Sequence, residues 1–428
     1  MKTLLKALPI ILLLHPSCPA AAQVYETNNV SVQTFVGSGF YGHYDGQGEF
    51  TMFNYPASVV ADSSSNFLVL DSQNYRIRKI TASGAVTTFV GGGAISPPGY
   101  GTNVSLGNYT LGAMAIDRSN TLWIVTSYNS YLLKIAPDGL VLPIYLTGIS
   151  SLNGICVDSK NNQYLSDSSA NRIYRYQTNG TLEVFVGSGN YGAIDGNGIF
   201  TSFRSPTHLA ADAADNLYVW DSGSYLIRRI NQNRDVVTLA GNPNFGSNFN
   251  PEQDGVGTNV VIHALGGMTV DGAGNLIFSS GNFSGFPGQS GGASIRKMSP
   301  TANVTTIAGN FLTGGYANGS GSNALFQGIQ GLSWSGGDIY VADSANHRIR
   351  KIAMDQTPPV AVPANLELKT YPGVEVTGTI GRTYRIESST NMSSWSAEAE
   401  LLLATDPQLW IDPVAVNGKK FYRAVLLP

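Results

Sequence analysis

The polar and apolar positions along the chain repeat one pattern six times. Each copy has an apolar stretch that ends in a polar residue, then a turn, a second apolar stretch, and a third stretch of the type Arg-Ile-Arg-Lys-Ile. The first stretch ends at Asp62, Asp117, Asp158, Asp212, Asp271 and Ser335. These short stretches have no helical periodicity, so they predict β-strands. Fourth strands are predicted at about 86–90, 140–146, 182–186, 236–240 and 304–308.

The sixth copy has no fourth strand, because Met354 is followed directly by a proline-rich segment. Near the other end of the chain, residues 32–37 match the missing strand. A circle of six four-stranded sheets explains both features, since the N-terminal strand would complete the last sheet and remove an open edge. We therefore predict an all-β protein, a six-bladed β-propeller over residues 23–355 that is closed by its N-terminal strand.

Two segments resemble the repeats of the NHL family of β-propellers: NFLVLDSQNYRIRKI (66–80) and DIYVADSANHRIRKI (338–352). The resemblance extends over about 32–354 and implies the propeller fold. It implies no single function, because members of this family include binding modules, sensors, lyases and RNA binders. Blades two and five depart from the pattern of these two segments, at Thr126 and Tyr131 and at Ser280 and the insertion up to Ser294.

Both ends of the chain differ from the repeats. Residues 1–22 contain Lys2 and Lys6, a short apolar run and a cluster of small residues, which are typical of a secretory signal peptide. A proline-rich linker is predicted at 356–363. The short strands predicted in 364–428 resemble the small β-sandwich modules that end many exported bacterial proteins. We interpret this region as an attachment or interaction module, with a stabilising appendage as the alternative. We expect an exported protein that is extracellular, on the cell surface or periplasmic.

Composition narrows the possible partners. Charged residues make up 12% of the 428 residues, about half the usual share, and the formal net charge is −3. Removing Lys2 and Lys6 with the leader changes it to −3 − 2 = −5. A nucleic-acid partner is not expected, because it would need a basic face. No second apolar segment is long enough to span a membrane, and we expect a monomer.

Two repeated elements are interpreted as structural. Three aspartates precede an arginine by five residues: Asp71 and Arg76, Asp167 and Arg172, and Asp343 and Arg348. We expect an ion pair, or a bond from side chain to backbone, that holds the turn between the second and third strands. Four connectors between blades carry a glycine-rich loop that begins at Asp45, Asp195, Asp254 or Asn318. We interpret it as a structural turn, with a calcium site as the alternative.

The sequence contains no recognisable catalytic motif, so we assign no catalytic residue. Glutamate is rare in the ring, unlike in lactonase-type propellers, whose calcium lies on central acidic and amide side chains. The family resemblance implies a second alternative, because its amidating-lyase propellers bind zinc through histidines near the channel. His208 and His263 are the candidate zinc ligands here. Apart from these calcium and zinc alternatives, we expect no cofactor.

The connectors and the turns between second and third strands share one face, and this loop-rich face carries many aromatic residues. We predict that His208, Tyr41, Tyr44, Tyr191 and Tyr316 bind a neutral polar ligand there. The alternative is that these rings pack their own loops. The expected function is that of a non-catalytic binding or scaffold protein whose partner is a protein, a peptide or a glycan. A metal-dependent lyase or a lactonase-type enzyme at the channel mouth is the alternative.

Overall fold

Strands and single-turn 3-10 helices make up the regular structure of the part of the chain that the computed structural model describes. This part comprises residues 30–107, 109–127, 131–243, 252–281, 292–354, 365–368, 374–389, 391–404, 408–410 and 421–427. The predicted signal peptide and proline-rich linker lie outside it. The division into 1–22, 23–355, 356–363 and 364–428 therefore stays a prediction.

Six antiparallel sheets correspond to the six sequence copies, and we call them blades one to six. From the inside outwards, blade one contains Pro56–Ala61, Phe67–Asp71, Arg76–Ile80 and Ala85–Gly91. Blade two contains Leu111–Ile116, Leu122–Thr126, Tyr131–Ile135 and Leu140–Tyr145. Blade three contains Leu152–Val157, Gln163–Asp167, Arg172–Tyr176 and Leu182–Val186.

The second half of the ring repeats this order of strands. Blade four contains Pro206–Ala211, Leu217–Asp221, Leu226–Ile230 and Asp235–Gly241. Blade five contains Met268–Val270, Leu276–Gly281, Ala293–Met298 and Asn303–Asn310. Blade six contains Ile329–Ser335, Asp338–Asp343, Arg348–Met354 and the N-terminal strand Val30–Val36. The first strands contact one another in sequence, and that of blade six contacts that of blade one. The predicted all-β propeller, closed by its N-terminal strand, is confirmed.

Apolar side chains are buried between the blades. Within the described residues, each junction of two neighbouring blades has its own apolar cluster, six in all. At the centre, glycines allow the first strands to approach closely. A Cβ atom on Gly266 would overlap the carbonyl oxygen of Ile329, and one on Gly154 would overlap that of Thr207. These glycines therefore allow neighbouring blades to pack closely around the centre of the ring.

The sequence did not predict a fifth strand, but five of the six blades have one. It is formed by two residues of the connector, which pair with the outermost strand: Gly46–Gln47, Gly99–Tyr100, Gly196–Asn197, Gly255–Val256 and Gly319–Ser320. A 3-10 helix follows each one, at Gly48–Phe50, Gly101–Asn103, Gly198–Phe200, Gly257–Asn259 and Gly321–Asn323. Two more 3-10 helices, Ser72–Asn74 and Ser344–Asn346, lie in turns between second and third strands. Each short strand covers an edge that would otherwise be open.

The C-terminal part forms two three-stranded sheets. One contains Asn365–Leu368, Val374–Thr377 and Gln408–Trp410, and the other contains Thr383–Ser389, Ser396–Leu402 and Phe421–Leu426. Val376 of the first sheet and Tyr384 and Ile386 of the second belong to one buried apolar cluster. The relation of this region to a known module stays a prediction.

Candidate functional site

The aspartates at the ends of the second strands do not pair with the arginines five residues later, so the ion-pair expectation is corrected. Asp71 contacts Arg78, at 2.9 Å, and Asp343 contacts Arg350, at 2.8 Å. The physical reason is burial: these arginines lie inside the blade with no exposed surface, where a guanidinium requires a carboxylate. Asp167, whose blade has Tyr174 in place of such an arginine, instead accepts backbone N–H groups of Ser150 and Ser151.

The turn arginines make the second kind of contact that we expected, from side chain to backbone. Arg76 donates to the carbonyl of Asn74, and Arg348 donates to those of Asn346 and Ser38. In blade three, Arg172 donates to the carbonyl of Ser188. In blades three and six these bonds attach the turn to the connector that follows the blade.

The glycine-rich connectors are held by four buried arginines at the centre of the third strands. Asp45 contacts Arg78, Asp195 contacts Arg228 and Asp254 contacts Arg296, at 2.6, 2.7 and 2.8 Å, and Asn318 accepts from Arg350 at 2.8 Å. The second oxygen of each aspartate accepts the N–H of a threonine: Thr88, Thr238 or Thr306. A calcium ion bound to these carboxylates would have to compete with a buried guanidinium. Blades two and three lack both the connector aspartate or asparagine and the arginine, and Leu133 and Tyr174 occupy the position of the arginine.

The central channel forms a cavity of about 330 Å³ that residues of all six first strands line. Most lining residues are glycines and aliphatic residues, and the polar ones are Ser58, Asn153, His208 and Gln330. Among the described residues, no Asp, Glu, Lys or Arg lines this cavity. The channel is therefore a neutral site that offers hydroxyl, amide and imidazole groups.

His208 projects from the first strand of blade four, at a position where the other blades have small residues. Its Nδ1 atom lies 3.1 Å from the hydroxyl of Thr207. Burial lowers the pKa of His208 to about 4, although a hydrogen bond with the backbone of Gly266 acts in the opposite direction. The imidazole is therefore neutral at pH 7, where it can both donate and accept a hydrogen bond.

The pKa of His208 makes stability depend on pH in a defined direction. Between pH 6.5 and about 4 the unfolded chain binds a proton at this residue and the folded chain does not, so stability is lost as the pH falls through this interval. At pH 5 the loss is about 2 kcal/mol. We expect His208→Gln to remove this part of the acid sensitivity, measured by urea unfolding at pH 7 and pH 5. An equal acid loss in the variant would show that His208 titrates normally in the folded protein.

The four histidines of the described chain do not converge. His263 stacks on Phe311 with their rings nearly parallel, and His347 lies between Tyr41 and Tyr55. Within the described residues there is no group of three or more His, Cys, Asp or Glu side chains that could hold a metal ion. The candidate zinc ligands His208 and His263 are therefore not assembled with a third ligand of these types.

The predicted tyrosines do not line the channel. Tyr44 borders a separate hollow with His43 and Arg76. Tyr316 packs against other residues of the propeller. Arg348 lies 3.9 Å from the centre of the Tyr316 ring, and the hydroxyl of Tyr316 contacts the hydroxyl of Thr34. Tyr41 and Tyr191 occupy matching positions in the connectors before blades one and four, and these residues are 76% and 67% exposed.

Sequence reasoning missed two features. Glu252 supplies the carboxylate that blade five lacks at Ser280, because it accepts the hydroxyls of Ser280 and Ser294 in a buried site. Burial raises the pKa of Glu252. Tyr55 contacts His347 across the junction of blades six and one, with ring centres 4.8 Å apart. The serine at position 280, where other blades have aspartate, indicates that another residue such as Glu252 must supply the carboxylate. Nothing in the local sequence links Tyr55 to His347.

The ring of antiparallel sheets defines the chain as a β-propeller. Residues 326–352, which include two strands and most of a third from its last blade, match the sequence model of the NHL repeat. The human NHL repeat-containing protein 2 is 26% identical over 358 residues, which cover 76% of this chain and 43% of the human protein. The matched part of the chain thus spans less than half the length of that relative.

Two solved structures from Bacteroides thetaiotaomicron have a similar fold, and each comparison covers 76% of both chains. One is a protein of unknown function, at 18% identity and a TM-score of 0.58. The other is described as an auxiliary nutrient binding protein, at 18% identity and a TM-score of 0.57. At this identity the likeness shows the fold. In the described part of the chain, no helix has the length and apolar character needed to cross a membrane.

Proposed function

We propose that the protein is an exported, non-catalytic binding protein that takes a neutral polar ligand, a glycan or a peptide, on its loop-rich face and at the channel mouth. The observation that carries this proposal is the lining of the channel, which combines uncharged hydrogen-bonding groups with apolar walls. The imidazole of His208 is one of these uncharged groups, because its lowered pKa keeps it neutral at pH 7.

The lyase or lactonase alternative receives less support from the side chains. Metal-dependent chemistry of that kind needs several ligands that converge, and the described channel lining supplies one imidazole, one primary amide each from Asn153 and Gln330, and no carboxylate. The auxiliary nutrient binding protein resembles this chain in fold, and this likeness does not show what the present chain binds. Binding by the present chain is therefore argued from its own channel.

Calorimetric titration with neutral mono- and disaccharides and short uncharged peptides tests the proposal. We expect one class to bind with an affinity that changes little between 50 and 500 mM salt, because none of the described residues that line the channel is charged. His208→Ala should weaken binding, and Ser64→Ala, in an exposed turn on the opposite face, should not. Stoichiometric zinc in the purified protein that His208→Ala removes would contradict the proposal and favour the lyase alternative.

A further inference from the structure

Three aromatic side chains meet where the two ends of the propeller join. Tyr41 follows the closing strand, Tyr55 precedes the first strand of blade one, and His347 lies in a turn of blade six. The His347 ring centre is 6.3 Å from that of Tyr41 and 4.8 Å from that of Tyr55, and both contacts are edge-on. Tyr41 and Tyr55 are 76% and 46% exposed. We call this cluster the seam cradle.

The backbone of the seam cradle is held by one cross-junction hydrogen bond. The N–H of Tyr55 donates to Nδ1 of His347 at 3.2 Å. Both residues have left-handed backbone conformations, with φ of 51° and 54°. Such values are uncommon for large side chains and are easier for asparagine. The turn position of His347 also carries a ring in blades one and four, at Tyr75 and Tyr225, so Tyr55 is the unusual residue of the pair.

The chain builds the same junction a second time without these two rings. Between blades three and four, Ser205 stands in the position of Tyr55, with φ of 51°, and Asn171 stands in the position of His347, with φ of 53°. The N–H of Ser205 donates to Oδ1 of Asn171 at 3.0 Å, which reproduces the bond between Tyr55 and His347. The next turn also matches, since Ser72 donates to the carbonyl of Tyr55 and Ser222 to that of Ser205.

This internal comparison shows that serine and asparagine suffice to form the junction, so the fold does not require Tyr55 and His347. The ring of Tyr55 remains to be explained, and its exposure beside the exposed ring of Tyr41 points to a ligand. Resting on the binding function proposed above, we propose that the seam cradle of Tyr41, Tyr55 and His347 is a binding site for a neutral carbohydrate chain.

The surroundings of the seam cradle favour an uncharged ligand. The neighbouring turn supplies the exposed amide side chain of Gln73, whereas Ser72 and Asn74 already donate to the carbonyls of Tyr55 and Gly42. The nearest cation along the chain, Arg348, is already bonded to the carbonyls of Asn346 and Ser38. Burial and Arg348 lower the pKa of His347, so its ring is neutral at pH 7. Flat aromatic rings with phenol hydroxyls, beside the amide of Gln73, suit the C–H faces and hydroxyls of a sugar.

An extended peptide fits this place less well. A peptide that adds to a sheet needs an open strand edge. At this junction the outermost strands of blades six and one are already covered, by Gly319–Ser320 and Gly46–Gln47. The contacts that remain for a ligand are those of rings and polar side chains.

The matched junction provides the test. Tyr55→Ser combined with His347→Asn installs the residues of the other junction, so the double variant should melt within about 2 °C of the wild type. Native gels that contain soluble starch, β-glucan, xylan or mannan should retard the full-length wild type in at least one case. The double variant should lose at least about tenfold in affinity for that polysaccharide. Phe200→Ser, which removes an exposed ring elsewhere, should bind like the wild type.

The outcomes separate this inference from the proposed function. A folded double variant that binds a neutral polysaccharide as tightly as the wild type overturns the seam cradle, while binding lost in His208→Ala would still support the proposed function. Retardation only by anionic polygalacturonate, or binding only of short peptides, also overturns it. A wild type that binds none of these probes contradicts both proposals.

Discussion

Replacing Arg78 by leucine should lower the free energy of unfolding by about 3–5 kcal/mol. The guanidinium is fully buried and bonds to Asp71, to Asp45 and to the carbonyls of Met52 and Tyr44. Without it, the buried carboxylate of Asp71, whose pKa burial already raises, has no countercharge. Urea unfolding at pH 7, followed by tryptophan fluorescence, measures the difference.

Blade two shows how the loss of Arg78 can be compensated. There Thr126 occupies the position of Asp71 and Leu133 that of Arg78, so carboxylate and guanidinium are absent together. We expect Asp71→Thr combined with Arg78→Leu to be more stable than Arg78→Leu alone. Asp45→Asn serves as the control and should cost less than about 1 kcal/mol, because Asn318 makes the same contact in blade six. A double variant less stable than Arg78→Leu would refute the unpaired charge as the cause.

The propeller could be predicted from the sequence because its strands are local and repeated. Alternation of apolar residues marks each strand. The last of the six copies lacks one strand and the N-terminal end has an additional one, so the copies can form a closed ring. The partner of each aspartate could not be predicted in this way. Arg76 and Arg78 lie on the same face of one strand, and burial of Arg78 decides which of them reaches Asp71.

Only part of the candidate site could be predicted from the sequence. His208 could be found because a large polar residue replaces the small residues at the same position of other blades. The seam cradle could not, since Tyr55 and His347 are 292 residues apart. Their contact depends on ring closure, which brings the connector before blade one onto a turn of blade six. The matched pair Ser205 and Asn171 becomes informative only after the two junctions are superimposed.

Loss of the N-terminal strand should destabilise the whole propeller, because this strand closes the ring. Val30–Val36 pairs along Arg348–Met354, and Val36 is fully buried in the apolar cluster between blades six and one. Val36→Asp should cost about 3–5 kcal/mol and lower a single unfolding transition, because every blade depends on its neighbours. Gln33→Asp, at an exposed position of the same strand, should change stability by less than about 0.5 kcal/mol.

A rearranged chain distinguishes closure from a local packing effect. Val30 lies opposite Met354, so a two-residue Asn-Gly turn can join them. A chain that starts at residue 38 and carries Asn-Gly and residues 30–37 between Met354 and Asp355 should regain most of the stability that is lost when residues 1–37 are simply removed. Thermal unfolding of both chains measures the recovery. If the shortened chain melts like the full-length protein, the N-terminal strand does not hold the ring closed. If the rearranged chain stays as unstable as the shortened one, pairing with Arg348–Met354 is not what stabilises it.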